Sequence, residues 1–290
     1  MMGDARVLVS ILNWNRPKLT IECLESLEKC THREKKIVVI DNGSSDDSIA
    51  KIRKAFPSIE IIANPTNVGF GSGHNISLRM AQSQGFSYTL VLNNDALVSS
   101  DTISKMVLTA KQRDASLTGC MILEDGEKNW SGRVMDTVFG RASYMPLDAA
   151  PDAPDYVNGA CLLVRTKDLL NFGLFDERYF MYWEDADLSF RYRKAGLKLA
   201  VSTEAFVEHK LTGSIGKAHP LLDLYHSQSS VIFYRKYIPH WFVLVPLYAA
   251  LRVMKKMLSG EWANIPYVIR GTLEGCRLSS LKETYLRAAH

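Results

Sequence analysis

The chain has 290 residues, 47% hydrophobic and 23% charged, which is enough apolar material for one large α/β domain with an appendage and excludes a disordered or fibrous polypeptide. Its formal charge of +4 is small for that length, and Lys and Arg are scattered through the first two hundred positions, so nucleic acid is not an expected partner. Five cysteines, Cys23, Cys30, Cys120, Cys161 and Cys276, form no C-x-x-C pair, and their odd number and wide spacing suit buried thiols in a reducing compartment and argue against zinc.

A strand begins within a few residues of the N-terminus, leaving no room for a charged leader and an apolar signal core, so a cytoplasmic protein is expected. Arg6 to Asn13 (RVLVSILN) reads as that strand, and Pro17 suits the first turn of a helix carrying Ile21, Leu24 and Leu27 on one face. The pattern then repeats. Lys36 to Asp41 (KIVVID), Ile59 to Ala63 (IEIIA) and Tyr88 to Asn93 (YTLVLN) are apolar runs of strand length separated by helical segments. Such alternation predicts an α/β fold whose mostly parallel sheet is covered on both faces. Ligands of these sheets gather at the carboxyl ends of the strands. The rule selects polar residues: Asn13 and Asn15 after the first strand, Asp41 after the second, Asn67 to Asn75 after the third, and Asn94 and Asp95 after the fourth.

Taken singly, these stretches have ordinary readings too. DNGSSD (Asp41 to Asp46) is also a turn followed by a helix cap. NVGFGSGHN (Asn67 to Asn75) has glycines ahead of a helical stretch, a form that suits phosphate at a helix N-terminus, but its third glycine falls one residue early for the dinucleotide fingerprint. No G-x-x-x-x-G-K-[ST] occurs, so dehydrogenase and P-loop readings lose their main support.

As an ordered set the motifs are specific. SILNWNR, VVIDNGSSD, NVGFGSGHN, LVLNNDA, VNGACLLVR, FDERYFMYWEDADLSFR and VEHKLTGS follow one another over roughly residues 6 to 215. In that order the chain resembles the inverting family 2 glycosyltransferases with the GT-A (nucleotide-diphospho-sugar transferase) fold, most closely their rhamnosyltransferase-like branch. The resemblance implies a catalytic domain over residues 1–218, with a nucleotide-binding half over about 1–98 and an acceptor half over about 99–218, and a helical C-terminal appendage over 219–290. It also implies that Asp95 holds a divalent cation, Mn²⁺ or Mg²⁺, against the diphosphate of a sugar nucleotide, with His209 as a second ligand. Oxygen-ligated cations neutralise such a leaving group, and imidazole beside carboxylate favours Mn²⁺ somewhat. Where family members often carry D-x-D, this chain has Asn93, Asn94 and Asp95, one carboxylate fewer. By the same resemblance Asn13, Asn15, Asp41 and Asn94 line the nucleotide, while Asn67, Gly69 and Gly71 let the main chain approach it. His74 either faces the sugar or is an exposed first-turn helix residue.

In YFMYWEDADLSFRYRKAG (Tyr179 to Gly196), Leu188, Tyr192 and Ala195 share a helical face and Gly196 makes a natural stop, so Glu184, Asp185 and Asp187 fall in or just before the first turn. The helix dipole alone accounts for acids there. Their crowding beside Tyr179, Tyr182 and Trp183, an aromatic rim suited to a sugar face, points to a site. The resemblance makes Asp185 the catalytic base, gives Glu184 a donor hydroxyl to orient, and puts Trp183, Tyr182 and Asp187 on the acceptor side. Carboxylates this close raise at least one pKa among them, which helps in taking a hydroxyl proton.

Asp148 to Asp155 (DAAPDAPD) is a proline-rich acidic loop, and Glu124 to Met145 reads as an acceptor-side insertion with Trp130 and Arg133 as contacts. After Pro220 helical segments run to the end. His240 to Met257 is the most apolar, too short and too interrupted by Pro246 and Arg252 to span a bilayer. It reads either as an interfacial helix, with Arg252, Lys255 and Lys256 near anionic lipid, or as a helix packed on the catalytic domain or a second subunit. The expected activity is transfer of rhamnose from dTDP-rhamnose, or else of galactofuranose from UDP or another UDP- or GDP-linked hexose. The acceptor is a hydroxyl of a cell-surface polysaccharide or a polyprenyl-diphosphate-linked glycan, at the cytoplasmic face of the inner membrane. A nucleotidyltransferase should carry a basic glycine-rich phosphate loop near its N-terminus, where this chain has NWNRP. A non-catalytic glycan- or nucleotide-sugar-binding module is the alternative from another class.

Overall fold

A computed structural model describes residues 5–147, 153–210 and 219–282. The first part alternates strand and helix: β1 (Val7–Asn13), α1 (Pro17–Glu28), β2 (Lys35–Asp41), α2 (Ser48–Ala55), β3 (Glu60–Ala63), α3 (Phe70–Ser83) and β4 (Tyr88–Asn93). A turn leads to the short β5 (Ala96–Val98), then α4 (Thr102–Arg113), β6 (Ala115–Glu124), β7 (Glu127–Trp130), β8 (Gly132–Asp136), β9 (Arg141–Tyr144), β10 (Tyr156–Val157) and β11 (Cys161–Arg165). After α5 (Thr166–Phe172), α6 (Glu184–Lys194) and the long β12 (Lys198–His209) come three helices, α7 (Pro220–Tyr237), α8 (Trp241–Leu258) and α9 (Ile265–Leu278).

Apolar runs become central strands here because both of their faces are covered. Val7, Val9 and Ile11 of β1 pack in one cluster with Cys23, Leu24 and Leu27 of α1. Leu8 points to the other face and packs with Val38, Ile40 and Ala81. Strands β3, β2, β1 and β4 lie side by side and parallel, in that order. Their register sets Asn13 opposite Asp41 and Leu12 opposite Asn93, so the carboxyl ends form one row. Beyond β4 the sheet is mixed. β11 is antiparallel to both β4 and β6, β12 runs parallel to β6, and β5 closes the edge antiparallel to β12. That arrangement puts His209, the last residue of β12, opposite both Glu124 and Ala96. A small separate sheet, β10-β8-β9, stands over this end.

The C-terminal helices are fastened to the sheet domain by aromatic packing. Trp183 lies 4.7 Å from Phe233 of α7, Phe190 of α6 lies 5.2 Å from the same ring, and Tyr237 lies 4.8 Å from it. Within the layer α9 crosses α7 closely because Gly271 and Gly275 have no side chain. A Cβ at either position would stand 2.3 or 2.5 Å from the carbonyl oxygen of Leu224 or Gln228. All five cysteines are free thiols. Cys23, Cys30, Cys120 and Cys161 are buried and Cys276 is half-buried. Burial pushes the Cys23 and Cys30 thiols up, and a hydrogen bond with Cys161, then burial, does so for Cys120. Among the described residues no helix is long and apolar enough to cross a membrane. The expected boundary near residue 218, the TGS stretch at Thr212 to Ser214 and most of the DAAPDAPD loop lie outside the described residues.

Candidate active site

The row of strand ends opens into a cleft of about 700 Å³. β4 ends at Asn93, and the turn after it presents Asn94 and Asp95 to this cleft. His209 arrives beside them from β12: its Nε2 lies 3.0 Å from Asp95 Oδ1, and its Nδ1 lies 2.9 Å from Glu124 Oε1 at the end of β6. Burial pushes this imidazole toward neutrality, but hydrogen bonds and attraction from the two carboxylates outweigh burial and hold its pKa up at about 9. The hydrogen bond with His209 in turn holds Glu124 below the usual carboxylate range. The imidazole thus bridges two carboxylates, one at each ring nitrogen. Among the described residues no group of three or more His, Cys, Asp or Glu is gathered as a ready metal site. The donor set of Asp95 and His209 nonetheless fits a divalent cation. A carboxylate oxygen and an imidazole nitrogen stand side by side at the cleft wall, and Glu124 waits behind to fix the ring by its other nitrogen.

The facing wall is the start of α6. Tyr182 and Trp183 both adopt left-handed backbone, with φ of 70° and 68°, a conformation that costs a residue with a side chain about 1–2 kcal/mol. That double turn delivers Glu184 and Asp185 to the cleft in the first turn of the helix. Asp185 Oδ2 accepts a hydrogen bond from the Gly159 N–H at 2.9 Å, and Oδ1 accepts one from the Ala186 N–H at 2.7 Å. Gly159 fits closely at this point, since a Cβ would stand 3.3 Å from the Phe70 ring, tight enough to push that ring, and 3.6 Å from Asp185 Cβ. Burial raises the Asp185 pKa against the opposing pull of the two N–H groups. Glu184 is raised well above the ordinary range, by burial first and by its charged neighbour Asp185 second. Its buried Oε2 has no hydrogen-bond partner among the described residues.

Asp187 does not share that wall. It is fully buried, binds Arg191 at 2.8 Å, Lys236 at 2.7 Å and the Tyr237 hydroxyl at 2.9 Å, and does not line the cleft. The acceptor-side position expected for it is corrected: two residues along a helix turn a side chain through about 200°, away from Asp185. Tyr179 is also buried, its hydroxyl turned toward Asp187, whereas Tyr182 and Trp183 do line the cleft.

On the expected nucleotide side, Asn67, Gly69, Asn94 and Asp95 line the cleft, and Asn13, Asn15, Asp41 and Gly71 do not. Asp41 spends its oxygens within its own loop, accepting from Asn13 Nδ2 at 2.8 Å, from the Ser44 hydroxyl at 2.7 Å and from the Ser44 N–H at 3.0 Å. Asn15 is tied to Ser44 and Ser45 in the same way. Their chain neighbours Leu12, Trp14 and Asn42 reach the cleft instead, because successive residues at a strand end point to opposite sides. The glycine-rich stretch also has a packing role that the sequence did not indicate. A Cβ on Gly69 would stand 2.4 Å from the Phe180 carbonyl oxygen, and one on Gly71 would stand 2.8 Å from Phe175 Cβ. These glycines seat the start of α3 on residues 175–180, the segment that leads into α6. His74, inside that helix, is neither exposed nor in the cleft: it is buried, its Nδ1 lies 2.7 Å from the Ser10 hydroxyl, and burial pushes its pKa down to about 3.

Trp130 and Arg133 do not reach the cleft either. Trp130 is buried with Met145 and Val201, and the Arg133 guanidinium lies over the Tyr144 ring at 3.3 Å. Four residues that no motif indicated complete the site: Tyr156 of β10, Ala142 of β9, and Leu222 and His226 of α7. His226 packs 5.5 Å from the Tyr182 ring, and burial, then Arg252 beside it, push its pKa down to about 4. Glu124 had a signal that went unused, since it ends an apolar run as Asp95 ends its own. His226 had none, because a lone histidine on a helix reveals its neighbours only through tertiary packing.

The sequence profile described as Glycosyl transferase family 2 matches residues 9–168. The chain is 27% identical over 260 residues to the N-acetylglucosaminyl-diphospho-decaprenol L-rhamnosyltransferase of Mycobacterium tuberculosis, covering 80% of this chain and 84% of that relative. It is 26% identical over 182 residues to the rhamnosyltransferase WbbL of Escherichia coli K12, covering 57% and 68%. Among solved structures, the mannosyltransferase PcManGT of Pyrobaculum calidifontis, in complex with GDP-Man and Mn²⁺, superposes with a TM-score of 0.60 at 14% identity over 93% of this chain and 87% of that one. At such identity the likeness is one of fold, and the fold is the GT-A fold expected from the sequence.

Proposed function

The chain belongs to glycosyl transferase family 2, and from that premise we propose that it is an inverting, metal-dependent enzyme moving rhamnose from dTDP-rhamnose to a hydroxyl of a lipid-linked glycan precursor. Two relatives that carry rhamnosyltransferase names support the sugar. The diphospho-decaprenol in one of those names supports a polyprenyl-diphosphate-linked acceptor, met by a peripheral protein at the cytoplasmic face of the inner membrane. The observation that carries the reading is that a single cleft holds Asp95 beside His209 on one wall and Asp185 beside Glu184 on the other.

Asp185 takes the proton of the acceptor hydroxyl. Its raised pKa makes it a stronger base than an exposed carboxylate, and its two N–H bonds hold it in place. The freed oxygen attacks the anomeric carbon from the side opposite the nucleotide, the bond to the diphosphate breaks as the new one forms, and the configuration inverts. Asp95 and His209 would hold Mn²⁺ or Mg²⁺, which neutralises charge on the departing diphosphate. For that His209 must lose the proton on Nε2, and Glu124 keeps the ring oriented through Nδ1. Glu184, its pKa raised by burial, orients a donor hydroxyl. The nucleotide lies against Trp14, Asn67, Gly69 and Asn94, with Asn13, Asn15 and Asp41 bracing the loop behind it.

The test is nucleotide release from a panel of sugar nucleotides with and without a lipid-linked or synthetic diphosphate-linked acceptor. We expect acceptor-dependent release from dTDP-rhamnose. The Asp95→Ala variant should lose transfer and the metal-dependent part of donor binding while remaining folded, with a lower melting temperature because the buried His209 loses one of its two carboxylate partners. Full activity in that variant ends the metal assignment, and no release from any donor by the wild type ends the transferase reading.

A further inference from the structure

One of the two readings open for α8 turns Arg252, Lys255 and Lys256 toward lipid, and the packing corrects this for Arg252 and Lys256. Arg252 and Lys256 face inward, where they bind the two oxygens of Asp223 at 2.7 and 2.8 Å, and Lys256 also binds Glu261 at 2.7 Å. What α8 presents outward is apolar: Val243, Leu247, Leu251, Met254 and Leu258 are all exposed, Leu258 to 82%. Their spacing of three or four residues makes them one stripe along the helix. Trp262, in the turn after α8, and Ile269 and Leu273 of α9 are exposed too, at 59%, 50% and 66%. A folded protein rarely leaves so many large apolar side chains together in water without a partner for them.

We infer that this α8–α9 face is the surface by which the protein lies on an anionic membrane, with the apolar stripe entering the headgroup boundary. Charge selects this occupant over a second copy of the chain. Residues 238–282 contain six basic residues, Arg252, Lys255, Lys256, Arg270, Arg277 and Lys282, against two acidic ones, Glu261 and Glu274; with Arg252 and Lys256 turned in to Asp223, the other four basic residues remain for the surface. The two acids are already bonded, Glu261 to Lys256 and Glu274 to Arg270. The exposed positive charge sits on the stripe itself: Lys255 lies one turn beyond Leu251, and Arg277 one turn beyond Leu273. A symmetric pair of such faces would set like charges together, whereas anionic headgroups complement them. The face also belongs to the layer that builds the cleft. α9 is locked to α7 at Gly271 and Gly275, and α7 supplies Leu222 and His226 to the site. A membrane-bound protein would therefore hold its cleft at a fixed distance from the bilayer. In this respect the inference deepens the proposed use of a lipid-linked acceptor and rests on it, although the surface is tested without any substrate.

The experiment is flotation of the full chain with phosphatidylglycerol-containing vesicles and with phosphatidylcholine vesicles at low salt, beside its size in solution. Wild type should float with the anionic vesicles, less with the neutral ones, and run as a monomer. Leu251→Glu, Leu258→Glu and Leu273→Glu combined should cut flotation about tenfold or more while leaving the melting temperature and nucleotide release with a soluble acceptor unchanged. Lys255→Glu with Arg277→Glu should lower flotation with anionic vesicles only. The inference is overturned if wild type stays with the soluble fraction, if the triple variant floats like wild type, or if wild type is a dimer that the triple variant splits. Nucleotide release is scored separately, so failure of the surface and failure of the transferase reading give different results.

Discussion

Asp185 and Glu184 are adjacent carboxyls in one cleft with different surroundings, and that difference divides their roles. Asp185 has two backbone N–H donors to stabilise its anion, and Glu184 has a buried oxygen with none. Because burial raises the pKa of Asp185, the base form fills only above that raised value. The rate should therefore fall as pH drops through it, at a higher pH than for an exposed carboxylate. Asp185→Asn keeps the shape and removes proton acceptance. We expect turnover lower by about 10² or more, donor affinity near wild type, and loss of the acidic limb in the pH–rate profile. A normal rate in that variant would move the base elsewhere. At this scale the sequence was legible where a residue's place follows from a strand end, as with Asp95 at the cleft wall, and misleading by one residue where the direction of a side chain decides. Asn13 and Asp41 brace a loop, while their neighbours Leu12 and Asn42 line the cleft.

At the scale of elements, α6 is amphipathic in charge as well as in polarity: one side of its first turn serves the cleft and the other is an ion network. Asp187 neutralises Arg191 on its own helix and Lys236 on α7, joining the two elements where water is absent. Removing one member of such a buried network leaves charges without compensation, typically at a cost of about 3–5 kcal/mol. Asp187→Ala should accordingly lower the melting temperature by roughly 10 °C, as Asp185→Asn should not. A wild-type melting temperature combined with a weakened acceptor KM would return Asp187 to the acceptor side. The helix itself was readable from its period and its glycine stop. Which of three acids would turn inward was not, because the cations that hold Asp187 include one from a helix some fifty residues away in the chain.

Across the whole molecule, strand order and the C-terminal layer decide what the site can be. The alternation of strands and helices foretold the parallel half of the sheet, since both depend on local period. The pairing of β12 with β6 and β5, which carries His209 to Asp95, is non-local, and the motif resemblance anticipated it where periodicity did not. The division of the chain near residue 218 marks a change of composition, and the packing argues that it does not mark a free-standing domain. Phe233 and Tyr237 cover Trp183 and Phe190, and Lys236 answers Asp187. A chain ended at residue 218 should be poorly soluble and lack a cooperative thermal transition. A sharp unfolding transition in that fragment would establish the catalytic domain as independent.

The burial of four of the five thiols has a practical consequence for following this protein at work. A maleimide dye needs an accessible thiol, and Cys23, Cys30, Cys120 and Cys161 are buried, which leaves the half-buried Cys276 on α9 as the most accessible thiol of the folded chain. Labelling of the unmutated chain should therefore favour this one position. The label would sit in the helical layer that carries the apolar face, so fluorescence from unmutated protein can report what that layer meets.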